Sequence, residues 1–508
     1  MTTYIMLQGT SSHVGKSILA TALCRIFYQE GRLVVPFKAQ NMALNSYVTK
    51  DGGEMGRAQV AQAEASGLEP EVDMNPVLLK PTGDSRSQVI IQGKPLGNMS
   101  AREYHRGYSL KAFQAVMDSL NRLCKVYDTL VIEGAGSPAE INLKDHDIVN
   151  MRVAKYLKAP VLLVADIDRG GSLAALVGTL ALLDEDERDL VKGLIINKFR
   201  GDVSLFTPAI TFLEEKTHKP VLGVIPYIEN LGIDDEDSVS LEETRLQAEN
   251  ADISIAVISL PRISNFTDFD SLAGEIDTDV YYVSSCQELG HPDAIILPGS
   301  KNTTEDLQWL KKTGLYRDIM TLHASGIPVI GICGGYQMLG QSISDPYHAE
   351  AGCVDIEGFG LLPTSTVFSQ EKDTYQVIGH IQNLTFLGHT FSYSHIKGYE
   401  IHMGQTHCDE KASRPFIVQS RSGRPCHVEA GCANDDGTVF ATYIHGIFDN
   451  DEFRAFFVNA LRQKKGLPPL EKRYSFIQER QRRYDRLARI VAAHMDIPRL
   501  RRIMDGVE

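Results

Sequence analysis

Short apolar runs rich in β-branched residues, each ending in a polar or glycine-containing tip, recur along the chain. In the first half they fall at residues 4–7, 130–133, 160–166, 193–197 and 220–226. Runs of that length and composition read as buried strands, and the stretches between them carry helical periodicity, most clearly at residues 18–28. Strands alternating with helices predict an α/β fold with a parallel sheet whose carboxyl edge carries the functional groups. The pattern stops after Pro226. Residues 233–250 are acidic and lack apolar periodicity, which predicts a linker. It resumes with apolar runs at 253–260, 293–297, 326–330 and 438–443, a second α/β unit. From Asp451 onward the pattern is helical, with Leu487, Ile490, Val491 and His494 on one face and many arginines on the other. The expected division is 1–232, a linker at 233–250, a second domain at 251–455, and a helical C-terminal segment at 456–508.

The first strand runs into Gly9-Thr10-Ser-Ser-His-Val-Gly15-Lys16-Ser17, and a helix follows. A glycine-framed loop between strand and helix is the setting of a phosphate-binding P-loop, because backbone N–H groups at a helix start cradle phosphate oxygens. Lys16 is expected to reach the terminal phosphates of ATP, and the Ser17 hydroxyl to hold Mg²⁺. The five residues between Gly9 and Gly15 make the loop one longer than the common pattern. In that it resembles the loop of dethiobiotin synthetase and its relatives. Glu133, at the tip of the strand 130–133, is the expected second Mg²⁺ ligand. Asp166 ends the next strand in the same way and is read as a substrate contact. Lys38, Asn41 and Asn45 stand in a segment crowded with amides, cations and hydroxyls, as do residues 52–62 and 75–81, and are read as substrate contacts.

In the second half, residues 331–340 read Gly-Ile-Cys333-Gly334-Gly-Tyr-Gln-Met-Leu-Gly directly after an apolar run. A cysteine on a sharp strand-to-helix turn, flanked by small residues, is a nucleophile elbow, and the positive end of the helix favours thiolate. Residues 298–300, Pro-Gly299-Ser, place a glycine turn at another strand end. Its N–H groups and that of Gly334 are expected to form an oxyanion hole. Residues 438–445 deliver His445 to a strand tip, where it can serve as the base and acid that a thiol nucleophile needs. Residues 398–404, Gly-Tyr-Glu-Ile-His-Met-Gly, are expected on a further strand, in contact with substrate or with the other half.

Composition narrows the partners. A formal net charge of -14 argues against nucleic acid or an anionic membrane. No apolar run approaches a membrane span, and the N-terminus lacks a signal pattern, which predicts a cytoplasmic protein. The eight cysteines are scattered, with no paired spacing suited to zinc or to a disulfide framework. Neither composition nor motif sets an oligomeric state.

The residues around Cys333 and the stretch Tyr443-Ile-His445-Gly-Ile-Phe-Asp449 resemble class I glutamine amidotransferase domains of the cobyrinate-amidating type. Joined to residues 9–17, 36–46, 53–62 and 131–142, nearly the whole chain resembles the glutamine-hydrolysing amide ligases of cobalamin synthesis. The resemblance implies a P-loop synthetase domain followed by a flavodoxin-like amidotransferase domain. It also implies ATP- and glutamine-dependent amidation of the b, d, e and g carboxylates of a corrinoid, adenosylcobyrinic acid a,c-diamide. By looser similarity to dethiobiotin synthetase, Glu54 is a further candidate Mg²⁺ ligand. One departure stands out: the wider class has a glutamate two residues after the histidine, and this chain has Ile447 there. A third member of the Cys-His site is therefore absent or comes from elsewhere. Two other readings remain: the related cobyrinic acid a,c-diamide synthases, with the same two halves and different target carboxylates, and a P-loop ATPase switch carrying an inactive amidotransferase scaffold.

Overall fold

The structure is a computed structural model, which describes residues 2–83, 86–229, 231–233, 251–350, 355–471 and 475–508. The linker expected at 233–250 lies, from residue 234, outside the described residues. Two units form. The first comprises Met1–Ala43, Met55–Asp234 and Arg480–Glu508, the second Leu44–Glu54 and Asp235–Glu479.

In the first unit the five predicted apolar runs pair, with Val34–Phe37 added at one edge, as a six-stranded sheet in the order Val221–Pro226, Val191–Phe199, Val161–Asp166, Thr3–Gly9, Thr129–Glu133, Val34–Phe37. Every pairing in it is parallel. Strands buried on both faces need continuous apolar side chains, as these have. The register Leu7↔Glu133 and Gly9↔Val164 brings the tips carrying Gly9, Glu133 and Asp166 to one edge. A second, four-stranded sheet, Gln40–Met42, Val77–Gly83, Arg86–Ile91 and Lys94–Ser100, holds the Asn41 segment.

In the second unit the order is Thr278–Val283, Ile253–Ile258, Ala294–Leu297, Val329–Ile332, Val439–Thr442, Gly431–Ala433, parallel except for the last pair. Beside it stands a mixed sheet built on the antiparallel hairpin Thr364–Phe386 and His389–Cys408, with Ser342–Ser344 paired to the first of these in parallel. The predicted strand at 398–404 lies within that hairpin.

Residues 456–508 do not act as a single extension. Asp451–Lys464 packs into the second unit through Phe453, Phe457 and Leu461. Beyond Arg480, Tyr484, Leu487, Val491, Leu500 and Ile503 join the core of the first unit with Leu19, Leu23 and Ile195. Leu487 and Val491 are inward, as their four-residue spacing predicts. His494 is exposed, because it falls just past the end of Phe476–Ala493, where its Nδ1 meets the Ile490 carbonyl at 2.8 Å. Among the described residues no helix is long and apolar enough to cross a membrane.

Arg454, fully buried in the second unit, bonds Glu275 Oε1 at 2.7 Å, the Phe448 carbonyl at 2.9 Å and Asp451 Oδ1 at 2.8 Å. Removing one partner of a buried ion pair leaves the other charge uncompensated, at about 3–5 kcal/mol. Arg454→Ala is expected to destabilise the second unit by that amount in urea unfolding followed by the fluorescence of Trp309, the sole tryptophan. A loss below about 1 kcal/mol would contradict the pairing, since exposed ion pairs are worth that little.

Candidate active site

Cys333 sits between strand Val329–Ile332 and helix Gly334–Leu339 with φ 52° and ψ -104°, a backbone that L-residues with a Cβ rarely adopt. What permits the turn is Gly335. A Cβ there would stand 1.9 Å from the Leu297 carbonyl oxygen, so the helix can start this close to the neighbouring strand only with glycine. The Cys333 N–H donates to the Thr442 carbonyl at 2.9 Å. The parallel register Ile332↔Thr442 sets the cysteine and His445 at adjoining strand tips.

The oxyanion candidates gather at the same place. A Cβ on Gly334 would lie 2.8 Å from Ser300 N, and one on Gly299 would lie 3.2 Å from His445 Cε1. As the first residue of its helix, Gly334 has an N–H without an intrahelical acceptor. The Pro-Gly-Ser loop is held by pairing with Ile263–Ser264 and by the bond from Ser300 Oγ to Asp306 Oδ2 at 2.6 Å. Burial pushes the Asp306 carboxyl up to about 7.

His445 has a carboxylate partner that its own strand does not supply. Its Nδ1 lies 2.6 Å from Asp268 Oδ2, and Asp268 Oδ1 accepts the Gly446 N–H at 2.9 Å. Both side chains are buried. Burial alone draws the His445 pKa down, but the Asp268 carboxylate and the Cys333 sulfur outweigh it and hold it at about 10. Asn265 Nδ2 approaches the other ring nitrogen, Nε2, at 3.3 Å, and the Tyr399 ring stacks on the imidazole with centroids 5.1 Å apart. Asp268 and Asn265 stand in the polar run 261–270 that follows a strand tip. That position at the carboxyl edge was the available signal, but no spacing ties the run to His445, 177 residues on for Asp268.

The strand 398–404 forms part of this site. The Cys333 thiol points at the Ile401 carbonyl, 3.7 Å away, and His402 stacks on Tyr443 with centroids 3.8 Å apart. Burial drives the His402 pKa down to about 3, so its ring is neutral, with Nδ1 at 2.9 Å from the Gly404 carbonyl.

In the first unit Gly15, with φ 93°, starts helix Lys16–Gln29, and the Thr10 N–H is held by the Val164 carbonyl. Lys16 folds back over its loop, donating to the carbonyls of Ser11 at 3.1 Å and Gly136 at 3.3 Å. Glu133 is the hub. Its Oε1 accepts from Ser17 Oγ at 2.8 Å and Lys38 Nζ at 2.9 Å, and its Oε2 accepts from Gln62 Nε2 at 2.7 Å. A serine hydroxyl and a carboxylate side by side next to a P-loop are the hard oxygen donors that Mg²⁺ takes from protein, the remainder coming from phosphate and water. Asn41 bonds Gln59 Oε1 at 3.0 Å, and Asp166 pairs with Lys198 at 2.9 Å.

Glu54 and Asn45 fall in the second unit. The Glu54 carboxylate is buried against Lys372 Nζ at 2.6 Å and Ser46 Oγ at 3.0 Å, and Asn45 Oδ1 accepts from Thr267 Oγ1 at 3.3 Å. Among the described residues no cluster of three His, Cys, Asp or Glu side chains could hold a metal ion.

Comparison with known proteins follows the same division. Residues 5–240 match the model of the CobQ/CobB/MinD/ParA nucleotide binding domain, and residues 254–453 that of the CobB/CobQ-like glutamine amidotransferase domain. The cobyric acid synthase of Moorella thermoacetica is 53% identical over 99% of this chain and 97% of its own length. That of Pelotomaculum thermopropionicum is 54% identical over 98% and 95%, and that of Salmonella arizonae 48% over 99% and 99%. With about half of its residues shared across nearly the full length of both sequences, this chain belongs to the cobyric acid synthase family.

Proposed function

We propose that the protein amidates the b, d, e and g carboxylates of adenosylcobyrinic acid a,c-diamide, using ATP with Mg²⁺ and glutamine as nitrogen donor. The observation that carries this reading is the Cys333–His445–Asp268 arrangement, in a chain whose other unit has a P-loop with Glu133 behind it.

A carboxylate is a poor electrophile, so each acceptor carboxylate is first converted to an acyl phosphate by ATP. Charge on the transferring phosphoryl group has to be neutralised, the part given to Lys16 and to the P-loop N–H groups. Lys16 reaches phosphate by leaving the carbonyls of Ser11 and Gly136. When bound, Mg²⁺ held by Ser17 and Glu133 adds positive charge at the phosphates.

In the glutaminase half, the Cys333 sulfur attacks the side-chain amide carbon of glutamine, and the N–H groups of Gly334 and of the Gly299 turn stabilise the oxyanion. His445 gives its proton to the departing nitrogen, releasing ammonia and leaving a thioester. Water, deprotonated by His445, then cleaves the thioester to glutamate. Asp268 fixes the imidazole with Nδ1–H toward the carboxylate and stabilises the cation each time Nε2 is protonated, the role of the third member in a Ser-His-Asp site.

Mass spectrometry of adenosylcobyrinic acid a,c-diamide incubated with enzyme, ATP, Mg²⁺ and glutamine is expected to show four successive replacements of carboxyl OH by NH₂. An unaltered corrinoid, with ATP instead driving association with another protein, would favour a switch with an inactive amidotransferase scaffold. Two variants divide the labour. Cys333→Ala is expected to abolish glutamine-supported amidation while sparing amidation with added ammonia. Lys16→Ala is expected to lose roughly a hundredfold or more from either nitrogen source, the usual size for removing a preorganised charge contact. Loss of both activities in folded Cys333→Ala, or normal ammonia-supported turnover in Lys16→Ala, would overturn the assignment.

A third variant tests Asp268. The groups acting on the His445 ring are Asp268 and Cys333, which raise its pKa. Glu400 and His402 stand within electrostatic range. The value of about 10 includes the charge of a Cys333 thiolate, so once Cys333 has given its proton to Nε2 the imidazolium keeps that proton through neutral pH for ammonia departure and loses it as pH climbs through about 10. Asp268→Asn removes the largest favourable contribution, so the alkaline limb of glutaminase activity is expected to move to lower pH. The rate should fall about 10²–10⁴-fold, the range for a disabled general acid–base. An unshifted alkaline limb would exclude Asp268 from the site.

A further inference from the structure

The segment Leu44–Glu54 lies between stretches of the first unit in sequence yet belongs to the second, where it runs as a strap against the residues that touch His445. The Ser46 N–H donates to Asn265 Oδ1 at 3.0 Å, and the Tyr399 hydroxyl donates to the Ser46 carbonyl at 3.4 Å. Tyr47 packs its ring on Tyr399 with centroids 5.2 Å apart, and its hydroxyl accepts from Gln376 Nε2 at 3.1 Å. Further along, the Gly52 carbonyl accepts from Thr374 Oγ1 at 3.0 Å, and Glu54 pairs with Lys372. Both ends of the strap continue covalently into the unit that carries the P-loop.

The bond from Ser46 decides which way the Asn265 amide faces. Its oxygen must meet the backbone donor, so its NH₂ meets His445 Nε2, at 3.3 Å. Asn265 is buried and in the left-handed region with φ 54°, which asparagine tolerates better than most residues. A donor at Nε2 together with Nδ1–H toward Asp268 fits a neutral imidazole. An imidazolium would set N–H against N–H. Asn265 therefore opposes the transfer of the Cys333 proton to Nε2, and the thiol donates instead to the Ile401 carbonyl.

We propose that Asn265 is a positioning residue that keeps His445 Nε2 from exchanging a proton with Cys333 in the resting enzyme, and that the strap Leu44–Glu54 sets its orientation. Displacement of the strap, when ATP and the acceptor carboxylate bind to the unit into which it continues, turns the Asn265 amide away and frees Nε2. Glutamine is then hydrolysed only when an acyl phosphate can use the ammonia. This rests on the glutaminase role proposed above for Cys333 and His445.

The test uses the full-length protein without ATP or corrinoid and has two readouts. One is ammonia release from glutamine, the other the rate at which iodoacetamide modifies the Cys333 peptide, read by mass spectrometry. Asn265→Gly keeps the positive φ and removes the amide. Tyr47→Ala loosens the strap and touches neither His445 nor Cys333. Each is expected to raise both rates about tenfold, near the upper range for one net hydrogen bond, and to reduce the further stimulation by ATP plus acceptor. Local unfolding would expose the buried Cys333 to iodoacetamide but would not raise ammonia release, so the gain must appear in both rates. Unchanged or lower rates in Asn265→Gly overturn the role of Asn265, and the same result in Tyr47→Ala overturns that of the strap. Wild-type enzyme that releases no ammonia even with ATP and corrinoid refutes the glutaminase reading instead, while the alkylation rates still judge the positioning of His445.

Discussion

The parallel pairing of Val329–Ile332 with Val439–Thr442 is the constraint on which the second unit's chemistry depends. With Ile332 opposite Thr442, the residues just past each strand, Cys333 and His445, are fixed at neighbouring tips. A slip of one residue in either strand would turn these side chains to the other face of the sheet. The strand is anchored on its other side by Ala294–Leu297, whose Leu297 carbonyl leaves room only for Gly335 at the start of the helix after Cys333. Backbone strain at Cys333 persists because pairing on both sides of its strand holds it.

The first unit solves a different problem with similar means. Its P-loop, Glu133 and Asp166 also sit at the carboxyl edge of a parallel sheet, but the ligand there carries negative charge. Lys16, Lys38 and Ser17 converge around one carboxylate and the loop carbonyls, so positive groups are buried with partners before any phosphate arrives. Burying such charges unpaired would cost several kcal/mol each.

Much of this was legible in the sequence where chemistry and local geometry coincide. The P-loop, the Cys333 elbow, the Pro-Gly-Ser turn and His445 each occupy a strand tip, and a short apolar run followed by glycine announces a tip. Asp268 was not legible in that way. Ile447 stands where the wider class has glutamate, which leaves the sequence silent on what orients His445. The orienting carboxylate comes instead from the loop after another strand, at a separation only tertiary structure sets. Glu54, read as a metal ligand by similarity, and Asn45, read as a substrate contact from its polar surroundings, stand in a segment that folds with the second unit, where they meet Lys372 and Thr267, a membership that no local pattern announces. The long hairpin Thr364–Phe386 and His389–Cys408 was also under-read. Its alternation is broken by register shifts around residues 368–373 and 379–384, which blur a period of two.

In the proposed reaction Cys333 and His445 supply nitrogen to a carboxylate activated by the P-loop unit of the same chain. Amide-¹⁵N glutamine, given with ATP, Mg²⁺, the corrinoid and a low background of unlabelled ammonia, tests it most directly. The wild-type enzyme is expected to place ¹⁵N in every new amide of the product, and Cys333→Ala only unlabelled nitrogen. Product amides that draw on free ammonia alone in the wild-type enzyme would contradict it.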